Sequence, residues 1–449
     1  MQVSRRTFVQ AVAGSGALAV LPRSLSASIA QQAVAATDAS THRRLSEGWE
    51  LFQGPLSIPW QVWNSADMTV WQPVAMPHCF NAYDGCDPDT PYYRGSGWYR
   101  THVKIDNPFA NGRTLLHFEG AGQTAAAYVN ETLVGRHVGG YDEFIFDITD
   151  AVAVEANVIA AGKSPEKSPG IPIAVMCDSS PDVDRIPSDQ SDFSLYGGLY
   201  RHLNLVFVPE VSIEHVHVRS QLPDVNAAAQ IAVVARLYNP SALKPQVLMM
   251  LDVAGPGGEP VHHETRTIAA WDGMKELASF SIAKPNLWAP SSPNLYHCKL
   301  SISGVSGESS VVQNFGVRKA EWVEHGPFML IGVRLPLRGT HRHEDHAGYA
   351  AAMPDDLIDQ EMRLIREMGA NFIRLAHYQQ SRRVLDLCDR LGILVWEEVP
   401  WCLAGVGSEK FQQLAFDRLS SMIDQHYNHP SIVLWGLGNE DDCRGNIPT

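Results

Sequence analysis

Phe372-Ile373-Arg374-Leu375, Ile393-Leu394-Val395-Trp396 and Ile432-Val433-Leu434-Trp435 are three short, mainly apolar runs separated by two stretches of helical pattern, Arg382 to Leu391 and Phe411 to Gln425. Strands of this kind alternating with helices build a parallel sheet covered by its crossover helices. Working back toward the N-terminus, Phe328 to Gly339 reads as one more strand and Asp355 to Met368 as the helix after it. Four strands with three intervening helices make the first half of a (β/α)8 TIM barrel. A closed barrel takes about 250 residues, so the region 323–449 is expected to hold about four strands and the chain to stop inside the barrel.

Upstream the texture is different. Residues 37–210 carry closely spaced strand-like runs, among them Gly97 to Val103, Thr114 to Phe118 and Ala126 to Asn130, as expected of a β-sandwich of the jelly-roll type. Residues 211–322 continue in short strands, with alternation in Val211 to Val218 and in Cys298 to Ile302, and their length of roughly 110 residues fits an immunoglobulin-like β-sandwich. Residues 1–36 stand apart. Ser4-Arg5-Arg6-Thr7-Phe8 precedes a mildly apolar stretch, Val9 to Leu21, that is too short to cross a bilayer, and reads as a twin-arginine export signal. The mature protein is therefore expected in the periplasm or secreted. No later segment reads as a membrane span.

Charge narrows the partners. Thirty-five Lys and Arg against 49 Asp and Glu leave a formal charge of −14, which repels phosphate backbones, so nucleic acid is not expected as a partner. The seven cysteines are scattered with no CxxC spacing, and they support neither a zinc knuckle nor a disulfide framework.

In a parallel barrel the working residues lie at the C-terminal ends of the strands. The four ends here read Arg338 to His346, Arg374 to Tyr378, Trp396-Glu397-Glu398 and Trp435 to Glu440, and every one is polar or charged. An ionised carboxylate at a packed strand end must find partners or change its pKa, and His, Arg and carboxylates gathered over four polar strand ends together point to a site. Glycoside cleavage needs a protonated carboxyl for the leaving oxygen and a second carboxylate across the anomeric carbon. Glu440 is the candidate for the first. Asn439 offers an amide to a sugar hydroxyl, and Trp435 and Trp401 offer apolar platforms for a sugar ring. Glu397 and Glu398 are adjacent on a strand and point opposite ways, so only one enters the pocket. Glu398 then supports Glu440 or the substrate, or pairs with Arg374, which is itself counted among the sugar-facing residues.

Four stretches carry a resemblance: Asp192 to Arg201, Arg374 to Tyr378, Leu387 to Gly392, and His429 to Glu440. They resemble the signatures of glycoside hydrolase family 2, whose members include β-galactosidases, β-glucuronidases and β-mannosidases. The likeness runs from about residue 45 onward in the family's order of jelly roll, immunoglobulin-like sandwich and barrel. It implies a retaining exo-β-glycosidase, with a β-galactosidase-like activity placed first and β-glucuronidase or β-mannosidase kept open. Glu440 maps to the acid/base, and the nucleophile, which follows the family's seventh strand, falls beyond Thr449. The resemblance also implies that His343 and His377 line the sugar pocket and that Asp192 reaches over from the jelly roll to bind hydroxyls. Family members with a magnesium ion carry a Glu and a His shortly after the third strand. Val399-Pro400-Trp401-Cys402-Leu403 has neither, so no metal and no cofactor are expected. The expected partner is a carbohydrate substrate, and a homo-oligomer is left open.

Two other classes stay in view. His341 and His343 form an HxH at a first strand end, as in a metal-dependent amidohydrolase, but that reading lacks further ligands on the later strands. The two sandwiches alone would suit a secreted carbohydrate-binding protein without catalysis, which has no need of a half barrel with polar strand ends.

Overall fold

The structure is a computed structural model and describes residues 41–64, 70–162, 170–304 and 306–440. The expected export signal, residues 1–36, lies outside the described residues.

The first sandwich packs two antiparallel sheets. One has six strands, in the order Gln72–Val74, Trp49–Gln53, Ser96–Val103, Ile171–Asp178, Thr124–Val129 and Thr132–Val138, and the other has four, in the order His42–Arg44, Leu203–Val208, Arg113–Phe118 and Phe144–Asp147. Trp49, Tyr99, Leu116, Phe118 and Ile173 fill the space between them. The central strand Ile171–Asp178 is buried on both faces, because Ala174 packs outside the sandwich with Trp98, Tyr128 and Val62 of the short helix Trp60–Asn64.

The second sandwich sets three strands, Ser212–Gln221, Ala229–Tyr238 and Lys275–Ile282, against four, Pro260–Ala269, Gln246–Ala254, Tyr296–Gly304 and Gly307–Phe315. The alternation expected from Val211 to Val218 is interrupted by a register shift between Ile213 and His215, which moves the inward positions from Val211 and Ile213 to Val216 and Val218. Val216 and Val218 enter the core, while His215 and His217 emerge on the outer face.

One expected strand is corrected. Phe328 to Gly339 is not a single barrel strand: Ala320–Trp322, Phe328–Leu330 and Val333–Arg334 form a small antiparallel sheet. Leu330 pairs with Val333 across Ile331 and Gly332, whose φ angles of 55° and 70° make the left-handed two-residue turn that suits a tight hairpin. Phe328 and Leu330 pack with Trp288 and Leu394, and partly buried Leu335, Leu337 and Phe372 join them beneath the barrel.

The first barrel strand, β1, is Gly339–Arg342. It is followed by α1 (Asp355–Glu367), β2 (Phe372–Leu375), α2 (Arg382–Leu391), β3 (Leu394–Glu398), α3 (Glu409–Gln425) and β4 (Ile432–Gly436). All neighbouring strands are parallel, in the order β1-β2-β3-β4. α2 stops at Gly392, whose φ of 68° closes the helix, and a Cβ there would lie 2.5 Å from the Pro290 carbonyl oxygen. α3 starts at Ser408, whose hydroxyl accepts from the Phe411 N–H.

The barrel helices dock on the first sandwich through ion pairs. Arg382 meets Glu143 at 3.0 Å, Arg418 meets Asp142, and Asp355 takes Arg44 and His202, both at 3.0 Å. Asn428 bridges to the second sandwich through the Val218 N–H at 2.8 Å.

Candidate active site

Parity along β2 and β3 decides what enters the barrel. Ile373, Leu375 and Val395 pack beneath the helices, so Arg374, Trp396 and Glu398 face the interior. Glu397 takes the helix side, where His426 Nδ1 lies 2.8 Å away and the Gln380 N–H donates at 3.3 Å. Of the adjacent glutamates only Glu398 is directed inward.

Glu398 is fully buried, and its carboxylate is held from two sides. Arg374 donates to Oε1 at 2.8 Å and to Oε2 at 3.1 Å, a two-oxygen grip, and His377 Nδ1 lies 2.7 Å from Oε1. The guanidinium lies 4.6 Å from the centre of the Trp396 ring, an arrangement favoured by its planar cation. Gly436 on β4 makes room for this layer, since a Cβ there would lie 2.4 Å from Glu398 Cβ and 2.5 Å from Trp396 Nε1.

The same arginine fixes the end of β4. Its Nη2 donates to Asn439 Oδ1 at 2.8 Å, and the Asn439 N–H donates to the Trp401 carbonyl at 2.8 Å. The Asn439 amide nitrogen donates to Cys402 Sγ at 3.4 Å, and that thiol donates to Asp192 Oδ1 at 3.2 Å. Burial pushes the thiol up to about 11, so it stays protonated and able to donate. Asp192 thus reaches the barrel from the first sandwich, with Phe193 beside it. The Phe193 ring lies 5.1 Å from Tyr378, 6.0 Å from His343 and 6.2 Å from His377. Burial, with His377 adding to it, keeps His343 below the usual histidine range, so the ring is neutral at pH 7 and both donates and accepts.

Glu440 follows Asn439 directly, with an exposed side chain and a φ of 53°. Such a left-handed backbone is uncommon for glutamate and is often found where a side chain is aimed for function. Arg374, His377, Glu398, Asn439, Asp192 and His343 are brought into one linked cluster, and Glu440 stands at its edge. Trp401 is tied in by its carbonyl, while its ring packs edge-on against Phe411 at 5.4 Å and its indole N–H donates to Gly405. Trp435 is not brought in. It pairs in register with Glu397 and packs with the residues under the helices, so a ring expected as a sugar platform is a packing residue. His341 pairs in register with Arg374, and among the described residues neither it nor His343 belongs to a three-ligand metal group.

Behind the cluster lies a support with no local signal in the sequence. Arg201 pairs with Glu344, with side chains 5% and 3% exposed, and donates to the Gln379 carbonyl at 2.8 Å. Glu344 also accepts from the Ser381 N–H at 3.1 Å. Burial alone would raise its carboxyl pKa, but Arg201 and Arg342 hold it below the usual range. Tyr378 stacks on Tyr141 at 4.1 Å, and its hydroxyl accepts from the Glu344 N–H at 3.0 Å. Arg201 closes the Asp192 to Arg201 stretch, so that stretch carries both a site residue and the cation that anchors it. Trp396, Phe193 and Cys402 were likewise passed over as site residues, and nothing in their spacing marks them.

Three family descriptions match the chain in succession: "Glycosyl hydrolases family 2, sugar binding domain" over residues 45–209, "Glycosyl hydrolases family 2" over 211–318, and "Glycosyl hydrolases family 2, TIM barrel domain" over 322–449. The crystal structure of Parabacteroides merdae β-glucuronidase superposes with a TM-score of 0.86 at 45% identity, covering 91% of this chain and 53% of that one. A β-glucuronidase of Bacteroides fragilis is 31% identical over 390 residues, which are 84% of this chain and 54% of the relative. A β-galactosidase of Thermoanaerobacter pseudethanolicus is 30% identical over 380 residues, 83% of this chain and 48% of the relative. The chain spans about half the length of the relatives it matches. With its sugar-binding sandwich, its immunoglobulin-like sandwich and the first four strands of its barrel in the family's order, the chain belongs to glycoside hydrolase family 2.

Proposed function

We propose that this chain is the acid/base-bearing part of a retaining exo-β-glycosidase and that the whole protein removes terminal β-glucuronosyl groups. The observation that carries the glycosidase reading is the linked cluster at the ends of β2, β3 and β4, where Arg374 and Cys402 hold Asn439 immediately before Glu440. In this reading Glu440 protonates the glycosidic oxygen as the bond breaks and then takes a proton from the attacking water. Asn439 and Asp192 contact hydroxyls of the terminal sugar. Glu398 serves as a fixed anion that holds Arg374 and His377 in place, since its oxygens are already committed to them. Retention needs a second carboxylate about 5–5.5 Å from the acid, and it is expected at the seventh strand, which the four described barrel strands do not include.

From the resemblance alone β-galactosides come first. The higher identity to β-glucuronidases supports the reverse order, and the β-galactosidase at 30% identity keeps galactosides as the second reading. The test is turnover by the whole protein on aryl β-glucuronides and β-galactosides whose leaving groups differ in pKa, with Glu440→Gln beside the parent. Glu440→Gln is expected to slow poor leaving groups most, because they depend on protonation. Equal loss on good and poor leaving groups removes Glu440 as the acid, and faster turnover of galactosides overturns the sugar assignment.

A further inference from the structure

At the far end of α3 from its first turn, the second sandwich and the barrel meet through a group of side chains that glycoside cleavage does not use. His215 and His217 stand two residues apart on the outer face of the strand Ser212–Gln221, and that face meets the last turn of α3, which carries Asp424. His217 Nε2 lies 3.1 Å from Asp424 Oδ1, His215 Nε2 lies 3.6 Å from Asp424 Oδ2, and the three ligand atoms all fall within 4.8 Å of one another. Glu214 Oε1 is 3.6 Å from the same His215 nitrogen. Two ligands at about 2.0–2.1 Å on a tetrahedral zinc ion lie about 3.3 Å apart, and each His to Asp separation, taken to a different Asp424 oxygen, is close to that edge.

We propose that His215, His217 and Asp424 bind a divalent transition-metal ion of the zinc class across the seam between the second sandwich and the barrel, with Glu214 in reach as a fourth ligand. Two imidazoles with a carboxylate suit zinc and its neighbours and are a poor set for calcium or magnesium, which prefer oxygen alone. His217 is oriented by stacking on Tyr427 at 4.3 Å. The Asp424 carbonyl oxygen also lies 3.1 Å from His217 Nε2, at the negative end of α3, whose last turn has no basic side chain of its own.

Arg236 opposes the ion. It grips Glu214 at 2.9 Å and lies 3.7 Å from Asp424 Oδ2, so it supplies positive charge to the same carboxylates. Metal binding must displace the proton that His217 Nε2 shares with Asp424 and compete with this guanidinium. The proposal rests on neither the glycosidase reading nor its residues.

The experiment uses the full chain, stripped with a chelator, and titrates it with zinc against a chromogenic indicator and with cobalt for the visible bands of imidazole-bound Co²⁺. One zinc per chain is expected. His217→Ala and Asp424→Asn are expected to weaken binding at least as much as the roughly 10–100-fold that loss of an outer-shell partner costs, and to abolish the cobalt bands. Arg236→Gln is expected to tighten it. Should His217→Ala fail to fold, Asp424→Asn, which keeps the side-chain shape, carries the test. A parent chain that takes up no zinc overturns the proposal. So does zinc binding that survives Asp424→Asn, or that is lost instead with Asp386→Asn in the other His and Asp group, Asp386, Asp389 and His429.

Discussion

Replacing Arg201 with methionine isolates the contact that docks the first sandwich behind the candidate site. The substitution keeps much of the side chain's bulk but removes the cation facing Glu344, whose side chain is 3% exposed and whose remaining close donor is the Ser381 N–H at 3.1 Å. It also strips a donor from the Gln379 carbonyl. Removing one partner of a buried ion pair costs about 3–5 kcal/mol, because the other charge stays buried. At about 2–4 °C per kcal/mol for a unit of 150–250 residues, the melting temperature should fall by about 6–20 °C. The pH dependence has a definite sign. With Arg201 present the Glu344 carboxyl is held below its usual range, so the pair stabilises the fold above the unfolded carboxyl pKa and loses that effect as pH falls through the folded one. In Arg201→Met the buried carboxylate instead gains by protonation, so the penalty is largest near neutrality and shrinks in acid. Thermal unfolding followed by tryptophan fluorescence between pH 7 and 4, on Arg201→Met, Glu344→Gln and the double variant, reads all of this. The double variant should recover a large part of the loss. A shift below about 1 kcal/mol for Arg201→Met, or a double variant whose loss is the plain sum of the two, would show that Arg201 and Glu344 are not energetically coupled.

Two further outcomes follow from the same geometry. Gly436→Ala places a methyl group 2.4 Å from Glu398 Cβ and 2.5 Å from Trp396 Nε1, so it should cost about 1–3 kcal/mol and push Glu398 out of its grip on Arg374; a variant that melts with the parent shows that the layer has slack. Glu143, Asp142 and Asp355 at the sandwich and barrel seam all titrate below their usual range, in each case because Arg and His partners outweigh the cost of burial. Their stabilisation is complete above the unfolded pKa and lost as pH falls through the folded ones, so the melting temperature should drop steadily below about pH 4, and a flat profile from pH 7 to 3 counts against these pairs.

The order of the domains and the parallel half barrel were legible from residue pattern alone, because strands buried on both faces and helices of period 3.6 leave different marks. Arg382 to Leu391 and Asp355 to Met368 lie within a residue of the helices observed. The error at Phe328 to Gly339 came from Ile331 and Gly332: an apolar run looks continuous in sequence, and the hairpin depends on two left-handed φ angles inside it. The polar strand ends and the Asn439-Glu440 pair were also plain in the sequence, since charge after an apolar strand is costly without partners. The partners themselves were not. A four-residue apolar run does not reveal which of its faces meets the helices, and that parity sent Glu398 inward and Trp435 outward. Asp192 and Cys402 are 210 residues apart, and His217 and Asp424 are 207 apart. Local pattern fixes secondary structure because its forces act within a few residues. Which side chain meets which across a domain seam is decided only when the sandwiches dock on the barrel helices, through pairs such as Arg201 with Glu344 and Arg382 with Glu143.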